Sequence, residues 1–142
     1  MKKVTCAVLA AILAHGCLSF NVEATEAKKT YSEDVKLIAL FTIAEGEDEP
    51  ETAQRLIIDT ILNRKDSEDF PDTYEGVLYQ KNQFSVATNG RLNRCSIDDD
   101  ICDLVEEEME DRTNDEVLYF RANHYHNFGT PITHSGNTYF SK

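Results

Sequence analysis

The sequence predicts a mainly helical α+β domain with a small antiparallel β-hairpin near its C-terminus. Three observations lead there. Residues 35–44 are apolar on nearly every side, and two later segments repeat their apolar residues at helical spacing. Two short runs, 117–121 and 138–141, read as strands either side of a loop that carries Asn127, Gly129, Pro131 and Gly136. With 142 residues, 41% of them hydrophobic and 28% charged, the chain has the size and composition of one packed domain. Its prolines are scattered at 50, 71 and 131, and no repeat or low-complexity linker divides it.

Taken in order, the chain opens on Lys2 and Lys3 before a mostly apolar stretch from Val4 to Phe20, and Val22-Glu23-Ala24 offers cleavage positions. Residues 1–24 therefore read as a secretory signal peptide and residues 25–142 as the mature domain. The solidly apolar part, residues 4–14, is shorter than the roughly 18 residues a membrane span needs. Export to the periplasm or beyond follows, with no stable membrane association after cleavage; cleavage after Ala27 and retention as an anchor are the alternatives.

Ser32 suits a helix N-cap, and Glu33 and Asp34 occupy the first turn, where the dipole favours acids. The apolar segment that follows predicts a buried helix ending at Glu45-Gly46, with Gly46 in the left-handed C-terminal position. Pro50 starts a second helix, whose apolar face is Ala53, Leu56, Ile57, Thr60 and Ile61, running to about Arg64. Phe70-Pro71-Asp72 makes a turn, residues 74–79 a short helix, and residues 82–93 an irregular loop rich in Asn, Gly and Ser. A loop of that length in a small domain is usually functional. Ile101, Leu104, Val105 and Met109 predict a third long helix over 99–111, with Glu106, Glu107, Glu108 and Glu110 on a solvated face.

The net charge of −12 excludes a phosphate backbone as partner, since an acidic surface repels nucleic acid. Of the four cysteines, Cys95 and Cys102 follow the signal. On one continuous helix their Cα atoms would stand ~10.5 Å apart, beyond the ~7 Å reach of a bridge. The turn-forming run Ser96-Ile97-Asp98-Asp99-Asp100 removes that obstacle, so an exported chain is expected to form a Cys95–Cys102 disulfide.

Glu45 is the most informative position, a carboxyl group closing a helix that is otherwise almost wholly apolar. Burial raises a carboxyl pKa by penalising its charged form, which suits a general acid near neutral pH. A solvated helix end is the competing reading. Glu47, Asp48 and Glu49 lie close enough to supply a second carboxylate, but capping the helix that starts at Pro50 is the simpler role for them.

Several short motifs occur in register: Ala44-Glu45-Gly46-Glu47-Asp48-Glu49-Pro50-Glu51, then Ile61-Leu62-Asn63-Arg64, then residues 70–80 (FPDTYEGVLYQ) and Asn82-Gln83-Phe84-Ser85-Val86. Together with Leu118-Tyr119-Phe120 and Gly136-Asn137-Thr138-Tyr139-Phe140, they resemble the cell wall hydrolase family typified by the spore cortex-lytic enzyme SleB. The resemblance implies a lysozyme-like, transglycosylase-like fold that cleaves peptidoglycan glycan strands, in spore cortex lysis, wall turnover or phage lysis. It implies Glu45 as the catalytic acid, no cofactor, and a monomer. A sugar hydrolase normally needs two carboxylates about 5 to 9.5 Å apart. A lytic transglycosylase needs one, which serves as acid and then as base.

Gln83 and Ser85 are placed to bond sugar hydroxyl or acetamido groups, and Tyr79, Phe84 and Tyr119 either offer faces to sugar rings or pack in the core. The chain departs from the family at Thr138, where a histidine is common. Two rival readings remain. His124 and His126 share one face if extended, and with His134 would supply three nitrogens for a zinc peptidase, although no helix-borne metal motif accompanies them. The acidic run 98–100 lacks a calcium-loop pattern. The second rival is a non-catalytic wall-binding protein of the same fold.

Overall fold

Helix formation begins at Ser32, whose hydroxyl is free to satisfy an orphan amide. In the computed structural model, which describes residues 29–142, Ser32 Oγ accepts from the Val35 amide at 3.2 Å and opens α1, Glu33–Gly46. The signal expected at residues 1–24 lies outside the described residues. Ile38, Ala39 and Phe41 are fully buried because α2 (Glu51–Asp66) and α4 (Asp99–Glu110) both pack on α1. A segment apolar on all sides has become the enclosed helix. Thr42 and Thr60, both buried, donate their hydroxyls to the carbonyls of Ile38 (2.9 Å) and Leu56 (2.8 Å), so neither strands a polar group.

Gly46 corrects one expectation. The helix runs through it, and Glu47 follows in right-handed conformation with φ −55°. A Cβ on Gly46 would stand 2.7 Å from Ile57 Cδ1, so glycine permits the close approach of α1 and α2 and has no dihedral role. The three acids that follow do not cap α2 either. Pro50 holds the N-cap position with no side-chain hydrogen bond, while Glu49 Oε2 accepts from the Asn137 amide at 3.0 Å.

The short helix α3, Tyr74–Leu78, is capped by Thr73 Oγ1 accepting from Gly76 at 3.1 Å. Two 3-10 turns, Ser85–Ala87 and Leu92–Arg94, organise the long loop. In α4, Asp98 accepts from the Asp100 amide at 2.8 Å and caps the helix. Its acidic face is not wholly solvated as expected. Glu108 is 1% exposed and accepts from Arg55 Nη1 (2.7 Å) and the Thr113 amide (2.6 Å).

The predicted two-stranded hairpin is a three-stranded antiparallel sheet. Strands β1 (Tyr119–Ala122) and β2 (Pro131–Ser135) both pair with β3 (Thr138–Ser141), in the order β1-β3-β2. Residues 131–135, read from sequence as loop, form an edge strand, a place where a leading proline removes no ladder bond. Gly136 turns the chain at φ +55°. It is also approached by Glu49 Oε2 and by Pro50 Cδ, where a Cβ would have no room, so this turn sits on the α1–α2 link.

The Cys95–Cys102 disulfide is not formed. Both are free thiols; Cys102 is fully buried within α4, and Cys95, ending the second 3-10 turn, donates its thiol to the Arg91 carbonyl at 3.4 Å. Residues 95–98 are irregular rather than a turn, and Cys102 packs in the core cluster with Cys95 at its edge. Among the described residues no helix is long and apolar enough to cross a membrane.

Candidate active site

Phe41 and Glu45 stand four residues apart on α1 and so share a face. Phe41 meets Tyr79 edge-on at 5.3 Å and Phe84 at 5.8 Å, which turns this face toward α3 and the long loop. Glu45 is half-buried there. Burial pushes its carboxyl pKa up, while a hydrogen bond from the Val86 backbone and the charge of Arg91 pull it partly back. The helix thus carries its one interior acid to the edge of the core, against a turn anchored by the buried Val86.

That turn lines a depression of about 540 Å³ formed by residues 79–85 with Ala87 and Thr88. Glu45 is not in its lining and reaches the same turn through Val86. Four of the five residues expected to bind substrate are gathered here: Tyr79, Gln83, Phe84 and Ser85. Gln83 and Ser85 are exposed, and the Tyr79 ring is 52% exposed. For Phe84 the structure takes the second of the two alternatives, since at 3% exposure it is a core side chain, forming the floor. Tyr119, the fifth, is not in the lining and is packed edge-on against Phe128 at 5.3 Å and tilted on Phe70 at 6.2 Å.

None of the acids that follow Glu45 lines this depression. Glu49 is held by Asn137, Asp48 is exposed, and Glu47 lines a separate depression of about 410 Å³ with Ile43 and Ile101. The histidines do not converge. His126 Nε2 lies 3.2 Å from the Phe120 carbonyl, His134 stacks on Tyr139 at 5.1 Å, and among the described residues no group of three His, Cys, Asp or Glu side chains is arranged to hold a metal. Thr138 is a buried β3 residue paired with Ala122 and Ser135.

Arg91 was missed from sequence. It is the only charged residue in the 82–93 loop of an otherwise acidic chain, and that isolation was the available signal.

The backbone as a whole superimposes on two solved catalytic domains. The catalytic domain of the germination-specific lytic transglycosylase SleB from Bacillus anthracis matches with a TM-score of 0.67 and 22% identity, covering 82% of this chain and all of that one (100%). The Bacillus cereus SleB catalytic domain matches at 0.69 and 23%, covering 83% and 97%. The architecture is therefore that of a SleB catalytic domain. Residues 48–141 match the model of the Cell Wall Hydrolase family, and the chain belongs to that family. That match begins after Glu45. The spore cortex-lytic enzyme of Halalkalibacterium halodurans is 34% identical over 74 residues, 51% of this chain and 22% of the relative. That of Oceanobacillus iheyensis is 35% identical over 59 residues, 42% and 21%. The chain thus spans about a fifth of the length of the curated relatives it matches.

Proposed function

We propose that the chain is a peptidoglycan glycan-strand hydrolase of the lytic transglycosylase type, with Glu45 as its single acid and base. The observation that carries this reading is the half-buried Glu45 carboxyl, its pKa raised by burial, set against the turn that lines the 540 Å³ depression. A carboxyl whose pKa is raised by burial is suited to protonate the oxygen bridging MurNAc and GlcNAc as the bond from C1 breaks. The resulting carboxylate then takes the proton of the muramic acid 6-hydroxyl while that oxygen closes on C1. Attack from within the same sugar gains its rate from proximity and needs no second carboxylate to activate water. Exposed Gln83 and Ser85 supply hydrogen-bonding groups for sugar hydroxyl or acetamido substituents, and Tyr79 a ring face.

The same reading has the chain exported by residues 1–24 and acting outside the cytoplasm as a monomer on peptidoglycan. A gel embedded with peptidoglycan tests it. Purified chain should clear the gel and Glu45→Gln should not, and product masses should show anhydromuramic ends. Hydrated reducing ends would make it a lysozyme-type hydrolase, and binding without clearing a wall-binding protein.

A further inference from the structure

The Asn63-Arg64 pair near the end of α2 has no place in the chemistry above. Asn63 secures backbone, its Nδ2 donating to the carbonyls of Asn114 (3.0 Å) and Val117 (2.9 Å). Arg64 is unlike it. The side chain is 4% exposed, its Nη1 is buried without a partner among the described residues, and its Nε donates to the Leu118 carbonyl at 2.6 Å. Around the guanidinium stand three aromatic rings, with centroids 5.1 Å (Phe70), 5.3 Å (Phe84) and 5.5 Å (Tyr119) from its central carbon. Burial lowers its pKa to about 10, which leaves it charged at neutral pH.

A buried cation with no anion beside it is costly, and an apolar side chain of similar volume would fill the space without that cost. The ring faces offset part of it through their negative quadrupoles. What a guanidinium adds is a planar link among separate parts of the chain. The rings come from three of them: the turn after α2, the loop that lines the depression, and β1. Phe84 is the floor on which Gln83 and Ser85 flank the same turn.

We propose that Arg64 is a positioning residue for the glycan groove: clamped by the Leu118 carbonyl, its guanidinium fixes the Phe84 floor against Tyr119 and Phe70, and so holds Gln83 and Ser85 in register for a sugar chain. The assignment rests on the glycan-strand reading and deepens it. Arg64 touches no reacting atom and acts through the floor, so its loss weakens binding more than chemistry.

The test uses the full chain and soluble, uncross-linked peptidoglycan strands, with kcat, KM and thermal melting measured for the unaltered protein, Arg64→Lys and Arg64→Gln. A compact ammonium cannot reach the carbonyl and lie against three rings at once. Arg64→Lys should raise KM about threefold and Arg64→Gln about tenfold, with kcat within about twofold of the unaltered protein. Either variant melting cooperatively with an unchanged KM would overturn the assignment, as would a fall in kcat alone. Failure of both to melt cooperatively would overturn it too, by making Arg64 a determinant of folding. Absence of strand cleavage by the unaltered protein would strike the glycan-strand reading itself, and the role of Arg64 with it.

Discussion

Glu45 and the Asp59–Glu108 pair are acids in apolar surroundings, and the two places treat them differently. Glu45 keeps a side open at the end of α1, with a backbone hydrogen bond and the Arg91 charge as its moderating influences. Asp59 and Glu108 are enclosed and hydrogen-bonded. Asp59 Oδ2 accepts from the Asn114 amide at 2.8 Å, and Glu108 takes Arg55 and Thr113. The two carboxyl groups are close enough for each to bear on the other's ionisation. Among the described residues Asp59 Oδ1 has no hydrogen-bond partner. Burial and the neighbouring Glu108 raise the Asp59 pKa to about 8, whereas hydrogen bonds from Arg55 and Thr113 hold Glu108 low despite its burial. Enclosure with strong partners makes a clamp between α2 and α4; enclosure with an open side suits the proton donor proposed for Glu45.

Four experiments would break or sharpen that contrast. Glu45→Gln should lower peptidoglycan-cleaving activity by at least about 100-fold, the scale of a lost general acid, with a melting curve like that of the unaltered protein. A variant that still clears wall would end the distinction. Glu108→Ala should do the reverse. By leaving Arg55 and the Thr113 amide without their acceptor it should destabilise the fold by about 2–3 kcal/mol in denaturant titration, with kcat of the remaining folded protein unchanged.

The third experiment is a pH series. Asp59 has a folded pKa above its unfolded value near ~3.9, so its contribution to stability is full below that value and is lost as pH rises through about 8. The unaltered protein should melt at lower temperature at pH 9 than at pH 6. Asp59→Asn has no proton to lose and should show a smaller drop; equal drops would remove Asp59 from the account. The smallest effect belongs to Arg91→Ala. Arg91 favours the charged form of Glu45, so its removal should move the alkaline limb of the kcat/KM profile to higher pH. A shift toward lower pH would refute that coupling.

The parts of the molecule readable from sequence are those set by local chemistry. Ser32, Thr73 and Asp98 cap where their side chains allow, and the long apolar run of α1 leaves little choice but burial. What escaped depends on contacts between distant segments. Gly46 looks like a helix terminator until Ile57 stands against it. Glu108 is one acid in an acidic run, and only the packing of α4 on α2 selects it for the interior. Strand β2 begins with proline and ends in a glycine turn, so its membership in the sheet is decided by β3 alone. At the site, Glu45 and most of the loop residues were legible, but the floor role of Phe84 and the reach of Arg91 arise from the fold of the 82–93 loop.

The order of strands has a consequence for biosynthesis. Because β3 lies between β1 and β2 yet follows both in the chain, neither neighbour has a hydrogen-bonding mate until residues 138–141 have left the ribosome. The Glu49 contact to Asn137 waits on the same event. A nascent polypeptide halted before that point would therefore display two unmated strands, and the α1–α2 link would lack its seat for the turn.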